Sequence, residues 1–222
     1  MWDRSNYWFF LNNIIKNYNP DTKKILDVAC WTWEVFKFLD KKYEKHWIDL
    51  SEEMLNIARN NFKDCYFYNQ NMNNISLNIK FDFIYSIFDS INHLINYRDW
   101  ELFFEKSFNL LNNDWVFVFD INTQYKLNLV WNYKPMICND EKDIIIFSTY
   151  KEDSWITSWN IKFFKNVKEN LFELNEERID EISYPIEKIK KTLKKFKKII
   201  IVDENNNPIN ETTQRAFFIC IK

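Results

Sequence analysis

Two carboxylates open the search for chemistry. Asp27 and Asp49 lie 22 residues apart, each near the end of a short apolar run, Lys24–Ala29 and Tyr43–Leu50. An acidic side chain at the end of the second strand of a βαβ unit can accept both hydroxyls of a ribose. The next run, Cys65–Tyr68, is followed by Asn71-Met72, where the Asn carbonyl can accept a hydrogen bond but brings no charge. A further run, Phe81–Ile87, leads into Ile87-Phe-Asp-Ser-Ile-Asn-His-Leu94. That segment offers Ser86, Asp89 and His93. Histidine is the residue type best suited to general-base work near neutral pH, which makes His93 a candidate, and Asp89 either contacts a ligand or caps the turn.

These residues need elements to position them. The first half alternates β-rich runs with helical spacing. Val35, Phe36 and Leu39 predict a helix over 33–41; Met54, Leu55, Ala58 and Phe62 predict one after Ser51, a good N-cap with Glu52 and Glu53 in its first turn. Asp99 is expected to cap a helix to about Leu111, before a turn at Asp114 and a fifth strand to Ile121. Such alternation implies a parallel sheet with ligands outside its carboxyl ends. That places 27–33, Asp49, Asn71, 86–90 and 120–122 around one crevice. From 127 to 184 the period becomes two, in runs 144–150, 159–167, 171–174 and 178–184, which predicts an antiparallel insertion of three or four strands. A helix over 186–196, a strand over 199–203 and a last strand over 215–221 follow. The expected fold is α/β, a doubly wound, mostly parallel seven-stranded Rossmann-like sheet with an antiparallel β insertion before the last helix. Residues 1–222 form one domain in this reading, and 127–184 shape an acceptor pocket.

Composition sets bounds. A chain of 222 residues with 46% hydrophobic and 28% charged residues can bury a sizeable core. A net charge of −2 excludes a wholly basic nucleic-acid binder. No apolar run approaches the roughly 20 residues of a membrane helix, and the first residues lack the apolar stretch of a signal peptide, so a cytoplasmic location is expected. Cys30, Cys65, Cys138 and Cys220 are scattered, with only two histidines, which predicts reduced thiols and no metal site.

The run Ile25-Leu-Asp-Val-Ala-Cys-Trp-Thr-Trp33 resembles motif I of the class I S-adenosylmethionine-dependent methyltransferases, with Trp at two positions where the family has Gly. His46-Trp-Ile-Asp-Leu-Ser51 resembles that family's G-I/V-D-L-S run, and Leu110-Leu-Asn-Asn-Asp-Trp-Val116 its L-x-P-G-G segment. Asn71-Met72 is similar to its Asp-Met pair, and 87–94 to a segment lining the space between cofactor and substrate. The resemblance implies S-adenosylmethionine as cofactor, held by Tyr7, Asp27, Ala29, Cys30, Trp31, Thr32, Trp33, Asp49, Leu50, Met54, Asn71, Met72, Ser86 and Phe88. It implies Asp89 and His93 as catalytic candidates, and Tyr7 lies in a segment resembling those that close over the cofactor. Phe36, at the third-Gly position of a dinucleotide fingerprint, argues against a nicotinamide dehydrogenase.

The glycines carry a separate message. The chain has 0 glycines and 10 tryptophans, where average usage predicts roughly 16 glycines. Trp stands in Gly-demanding contexts at 31, 33, 47, 115, 155 and 159, whereas Trp100 reads as an ordinary Trp. Misdecoding of UGA, which some bacteria read as glycine, accounts for this pattern. Genuine Trp31 and Trp33 side chains would occupy cofactor volume, giving an impaired nucleotide- or partner-binding relative instead. The expected activity is methyl transfer to a small-molecule acceptor, with nitrogen favoured because no convincing base for a hydroxyl is visible. A lysine run, Lys188 to Lys198, reads as a solvated helix face; the alternative is RNA or protein methylation through it. Nucleic acid and membrane are not expected partners, and the oligomeric state is open.

Overall fold

The apolar runs of the first half become strands because both of their faces are covered. A computed structural model describes residues 4–29, 40–130, 133–140, 142–151, 155–169 and 171–222. Strands β1 (Lys24–Val28), β2 (Glu44–Asp49), β3 (Cys65–Asn69), β4 (Phe81–Ser86) and β5 (Leu111–Asn122) are parallel neighbours. Near the C-terminus, β10 (Lys198–Val202) and β11 (Arg215–Ile221) complete a seven-stranded sheet of order β10-β11-β5-β4-β1-β2-β3. β11 is antiparallel to both of its neighbours. Chain order runs one way from β1 and the other way from β4, so the switch point lies between these two strands.

Helix α3 (Tyr97–Leu110) and α5 (Ile186–Thr192) cover one face with Trp100, Phe103, Phe104 and Ile189. The other face is covered by α1 (Arg4–Tyr18) and α2 (Glu52–Asn61). On α1 the residues Tyr7, Phe10, Leu11, Ile14 and Ile15 recur at helical spacing, and all are buried. Each contributes about 1.5–3 kcal/mol, which fixes this helix to the sheet. Asp82 braces the opposite end: its Oδ2 accepts from the backbone N–H groups of Lys23 and Lys24, each at 2.9 Å.

After α4 (Gln124–Val130) comes a separate antiparallel sheet of β6 (Met136–Asp140), β7 (Asp143–Lys151), β8 (Thr157–Lys168) and β9 (Leu171–Glu181). Its register puts Ile145, Phe147, Trp159, Ile161, Phe163 and Ile179 on one face, with Glu181 at the end of that face.

Several boundaries differ from the sequence expectation. Asp99 lies in the first turn of α3, which starts at Tyr97, because its carboxylate accepts from Asn73 Nδ2 at 2.8 Å and does not cap. The expected 186–196 helix ends at Thr192, and Phe196 turns in against Phe108 with ring centroids 5.2 Å apart. The run 171–174 and the first part of 178–184, as far as Glu181, form one strand, which leaves 182–184 outside it; its exposed middle pairs with β8 through the backbone without needing apolar alternation. Trp159 sits inside β8 rather than in a turn. Helices α1 and α4 and strand β6 were not among the expected elements. The helix expected over 33–41 falls almost wholly outside the described residues.

Trp155 adopts φ 67°, the left-handed region that favours glycine, and Asp114, just before Trp115, adopts φ 66°. Trp47 is fully buried, edge-on to Phe62 and Phe67 at 5.2 and 5.0 Å. Trp100 is also fully buried, and its indole N–H donates to the Leu94 carbonyl at 2.7 Å.

Candidate active site

The carboxyl ends of β1, β2, β4 and β5 gather a set of ionisable groups. Asp27 is buried at the end of β1, and its Oδ1 has no hydrogen-bond partner among the described residues. Burial pushes its carboxyl well above the usual range, and the nearby Asp49 charge adds to this, against a hydrogen bond from Tyr85. Ala29 follows with φ 60°, its N–H donating to the Ile48 carbonyl at 2.8 Å. Asp49 ends β2, and its Oδ1 accepts from the Ser51 N–H at 2.9 Å, while Ser51 caps α2 through the Met54 N–H.

The remaining expected cofactor positions fall in different surroundings. Leu50 is 69% exposed, and Met54 is half-buried on α2. Asn71 is exposed and caps a 3-10 turn by accepting from the Asn73 N–H, whereas Met72 is buried in the core. Ser86, at the end of β4, is buried with no hydrogen-bond partner for its hydroxyl among the described residues. Phe88 has φ 60°, and its ring lies 4.2 Å from that of Tyr7. Cys30, Trp31, Thr32 and Trp33 lie outside the described residues.

A second cluster forms because β11 runs antiparallel to β5, setting Arg215 beside the end of β5. Its guanidinium bridges two carboxylates: Nη2 donates to Asp89 Oδ1 at 2.7 Å and Nη1 to Asp120 Oδ2. Tyr7 donates its hydroxyl to Asp120 Oδ2 at 3.2 Å, and the Asp89 N–H donates to Asp120 Oδ1 at 3.2 Å. Burial opposes the Arg215 charge, but the Asp120 and Asp89 carboxylates more than offset it and keep the group cationic. Burial raises the Tyr7 hydroxyl, with Asp120 acting in the same direction. Tyr7 thus lies on the packed face of α1, beside the Asp120 carboxylate at the end of β5.

The insertion reaches the same end of the sheet. Glu181 is 5% exposed and accepts from Asn122 Nδ2 at 2.8 Å. The other side of that amide, Asn122 Oδ1, accepts from Lys126 Nζ at 2.9 Å. Asn92, fully buried in the 3-10 turn after β4, donates its amide to the carbonyls of Asn122 and Ile182 and accepts from the Asn122 N–H. His93 is exposed, with Nδ1 3.2 Å from the Asp180 carbonyl.

The sequence reading did not single out Arg215, Glu181, Lys126 or Asn92. Arg215 and Glu181 lie far from every motif; the β5–β11 register brings in the first and the hydrogen bonds of Asn92 and Asn122 to the insertion the second. Asn92 stood inside the quoted 87–94 segment and was the one detectable signal. Among the described residues no group of three metal-ligating side chains occurs, and no helix is long and apolar enough to cross a membrane.

An orphaned buried carboxylate oxygen, an unpartnered hydroxyl and a left-handed residue at the switch point suit a ligand rich in donors and acceptors. Known proteins bear on which ligand. Residues 25–114 match the family of methyltransferase domains. An inferred methyltransferase of Geobacillus sp. (strain WCH70) is 27% identical over 223 residues, spanning 96% of this chain and 90% of that one. The crystal structure of an S-adenosylmethionine-dependent methyltransferase from Clostridium acetobutylicum ATCC 824 superposes with a TM-score of 0.88 at 28% identity, covering 99% of this chain and 92% of that one. A sugar N-methyltransferase from Streptoalloteichus sp. ATCC 53650 shares the fold at 14% identity, with a TM-score of 0.84 over 99% of this chain and 88% of its own. The motif after β1, the acidic end of β2 and this whole-chain likeness agree: residues 25–114 carry a methyltransferase domain, and the chain over its length is similar to S-adenosylmethionine-dependent methyltransferases.

Proposed function

We propose that the protein transfers the methyl group to an amino nitrogen of a small molecule. The observation that carries this reading is the carboxyl lining of the crevice. Asp27, Asp49, Asp89, Asp120 and Glu181 converge there, against the cations Arg215 and Lys126. Carboxyl oxygens gathered at the strand ends accept from the N–H groups of a cationic amine and disfavour phosphates and carboxylates. An ammonium acceptor and a sulfonium donor both suit that lining. The likeness to a sugar N-methyltransferase supports the same acceptor class.

In this reading Asp27, Ala29, Asp49, Leu50, Met54, Asn71, Met72, Ser86 and Phe88 hold the cofactor with the loop 30–33, and Tyr7 walls the site. The cofactor supplies an electrophilic methyl carbon whose bond to sulfur breaks as the acceptor nitrogen bonds to it, the electron pair leaving with sulfur. The protein's part is to align the nucleophile and exclude water. The four-stranded insertion supplies the acceptor side. The lysines of α5 are tied locally: Lys188 Nζ lies 3.7 Å from the Tyr97 ring centre, Lys190 pairs with Glu187 at 2.9 Å and Lys195 with Glu105 at 3.8 Å. That supports a solvated face over a nucleic-acid surface.

The test combines calorimetry with S-adenosylhomocysteine and transfer of labelled methyl to paired amino and hydroxy sugars. Binding with label in the amino compounds alone is the expected result. Label confined to hydroxyl compounds, or absence of binding, overturns the reading.

A further inference from the structure

Glu181 stands apart from the other carboxylates on the side of the crevice that faces the insertion, whereas Asp27, likewise buried without an ion pair among the described residues, lies at the cofactor end of β1. Asp89 and Asp120 share the Arg215 guanidinium. Asp49 takes a backbone N–H, and its side chain is partly in solvent. Glu181 is 5% exposed, and among the described residues it has no cation within ion-pair distance. Its recorded hydrogen bond comes from a neutral amide, Asn122 Nδ2. The nearest candidate cation, Lys126, is turned instead onto the far side of that same amide. A carboxyl so enclosed with one neutral donor is costly to keep charged. The fold could have avoided this cost with a glutamine. Instead the last residue of the insertion carries an acid, on the apolar face of its sheet and among Asp89, His93 and Lys126.

Resting on the reading of the protein as an amine methyltransferase, we propose that Glu181 is the acceptor-binding carboxylate of this chain: it receives the ammonium group of the acceptor and accepts one of its protons. The N–H bond of the ammonium breaks, an O–H bond forms at the Glu181 carboxylate, and the electron pair stays on nitrogen, now a neutral amine. The proton then passes to water. No oxidant or further reactant is needed. Burial and the Asp89 charge both raise the Glu181 carboxyl above its usual range, which moves it closer to an amine in proton affinity. Asn122, held by Asn92 and Lys126, is the positioning residue that fixes the carboxylate plane.

The experiment compares the full chain with Glu181→Gln. S-adenosylhomocysteine affinity is measured by calorimetry for both. Label transfer is then followed from S-adenosylmethionine to ethanolamine, glucosamine and a nucleoside-diphosphate amino sugar across pH. In parallel, carbon NMR of the labelled Glu181 carboxyl in the wild-type complex with S-adenosylhomocysteine reports its titration before and after each amine is added. The proposal expects unchanged product affinity in E181Q, a loss of about 100-fold or more in kcat/KM and disappearance of the acid limb of the pH profile. It also expects an amine-induced shift of the Glu181 resonance. Wild-type transfer to an amine with E181Q within about threefold overturns the role of Glu181 and leaves the amine reading standing. Loss of product affinity in a folded E181Q assigns the residue to the cofactor side and overturns the proposal as well. Product binding by the wild type with no amine methylated defeats the amine reading, and this proposal with it. If E181Q does not fold, the NMR titration of the wild type decides: a resonance indifferent to every methylated amine refutes the assignment.

Discussion

Replacing Arg215 by methionine tests the electrostatic framework of the crevice. Methionine keeps much of the packing volume but removes the cation between Asp120, whose side chain is fully buried, and Asp89, which is 18% exposed. Removing one partner of a buried pair costs about 3–5 kcal/mol, because the remaining charge has lost its compensation. The residual exposure of Arg215, 14%, and of Asp89 favours the lower end of that range. For a chain of this size each kcal/mol corresponds to about 2–4 °C in Tm, so Arg215→Met is expected to melt roughly 6–12 °C lower. The pH dependence has a definite sign. Burial already raises the Asp120 carboxyl, and removing Arg215, which lowers it, moves it further up in the folded state, so the variant is least penalised at low pH and loses stability as pH rises through that folded pKa. The gap to the wild type is therefore widest near neutrality and narrows below about pH 4. Adding Asp89→Asn and Asp120→Asn should recover most of the loss at neutral pH. Urea titrations at pH 7.5 and pH 4 measure all of this. A loss below about 1 kcal/mol at pH 7.5, the scale of an exposed ion pair, or a loss independent of pH would refute the reasoning.

Other sites give sharper contrasts. Asp27→Asn removes a buried carboxyl whose pKa is raised; that raised value favours the fold at low pH and loses the benefit as pH rises, so the variant without ligand should melt higher than the wild type at pH 7.5 and match it below about pH 4, while binding S-adenosylhomocysteine more weakly. Thermal scans at both pH values with a product titration check it. Asp49→Ala should weaken S-adenosylhomocysteine binding about 100-fold, since two hydrogen bonds to a charged group are worth about 3 kcal/mol at the low end; an affinity within threefold of wild type by calorimetry removes Asp49 from the ribose site. Trp155→Gly should stabilise the chain by roughly 0.5–1 kcal/mol, because a non-glycine residue in the left-handed region costs about 1–2 kcal/mol and the indole is 61% exposed; destabilisation in urea would contradict this. DNA of the gene with UGA at codons 31, 33, 47 and 115 is the expected result, and UGG there would exclude misdecoding.

The sheet was readable because parallel strands buried on both faces leave near-continuous apolar runs such as Phe83-Ile-Tyr85 and Val116-Phe-Val-Phe119. The carboxylates Asp27 and Asp49 were readable for a related reason: a polar residue closing such a run marks the strand end where ligands sit. The stripe of α1 was also present in the sequence, at Tyr7, Phe10, Leu11, Ile14 and Ile15, but attention to Tyr7 as a closing residue hid the helix that holds it. Arg215 and Glu181 were not legible. Their partners lie 95 and 59 residues away in the chain, at Asp120 and Asn122; the first pairing follows from the antiparallel register of β5 and β11, the second from the docking of the insertion through Asn92, and local patterns encode neither. The edge strand β9 misled because a strand exposed on both sides is free to carry Asn175 to Arg178 in succession.

One small amide has a broader consequence. Asn92 ties together the turn after β4, the tail of β5 and the exit of the inserted sheet, with bonds of 2.8–3.0 Å to Ile182 and Asn122. The insertion is thereby rooted at its base. Leu171 and Leu174 are exposed at the opposite end of β9 from Glu181, so their exchange is expected to leave that root undisturbed. An anchorage of this kind lets the outer part of the inserted sheet vary in sequence over an unchanged base.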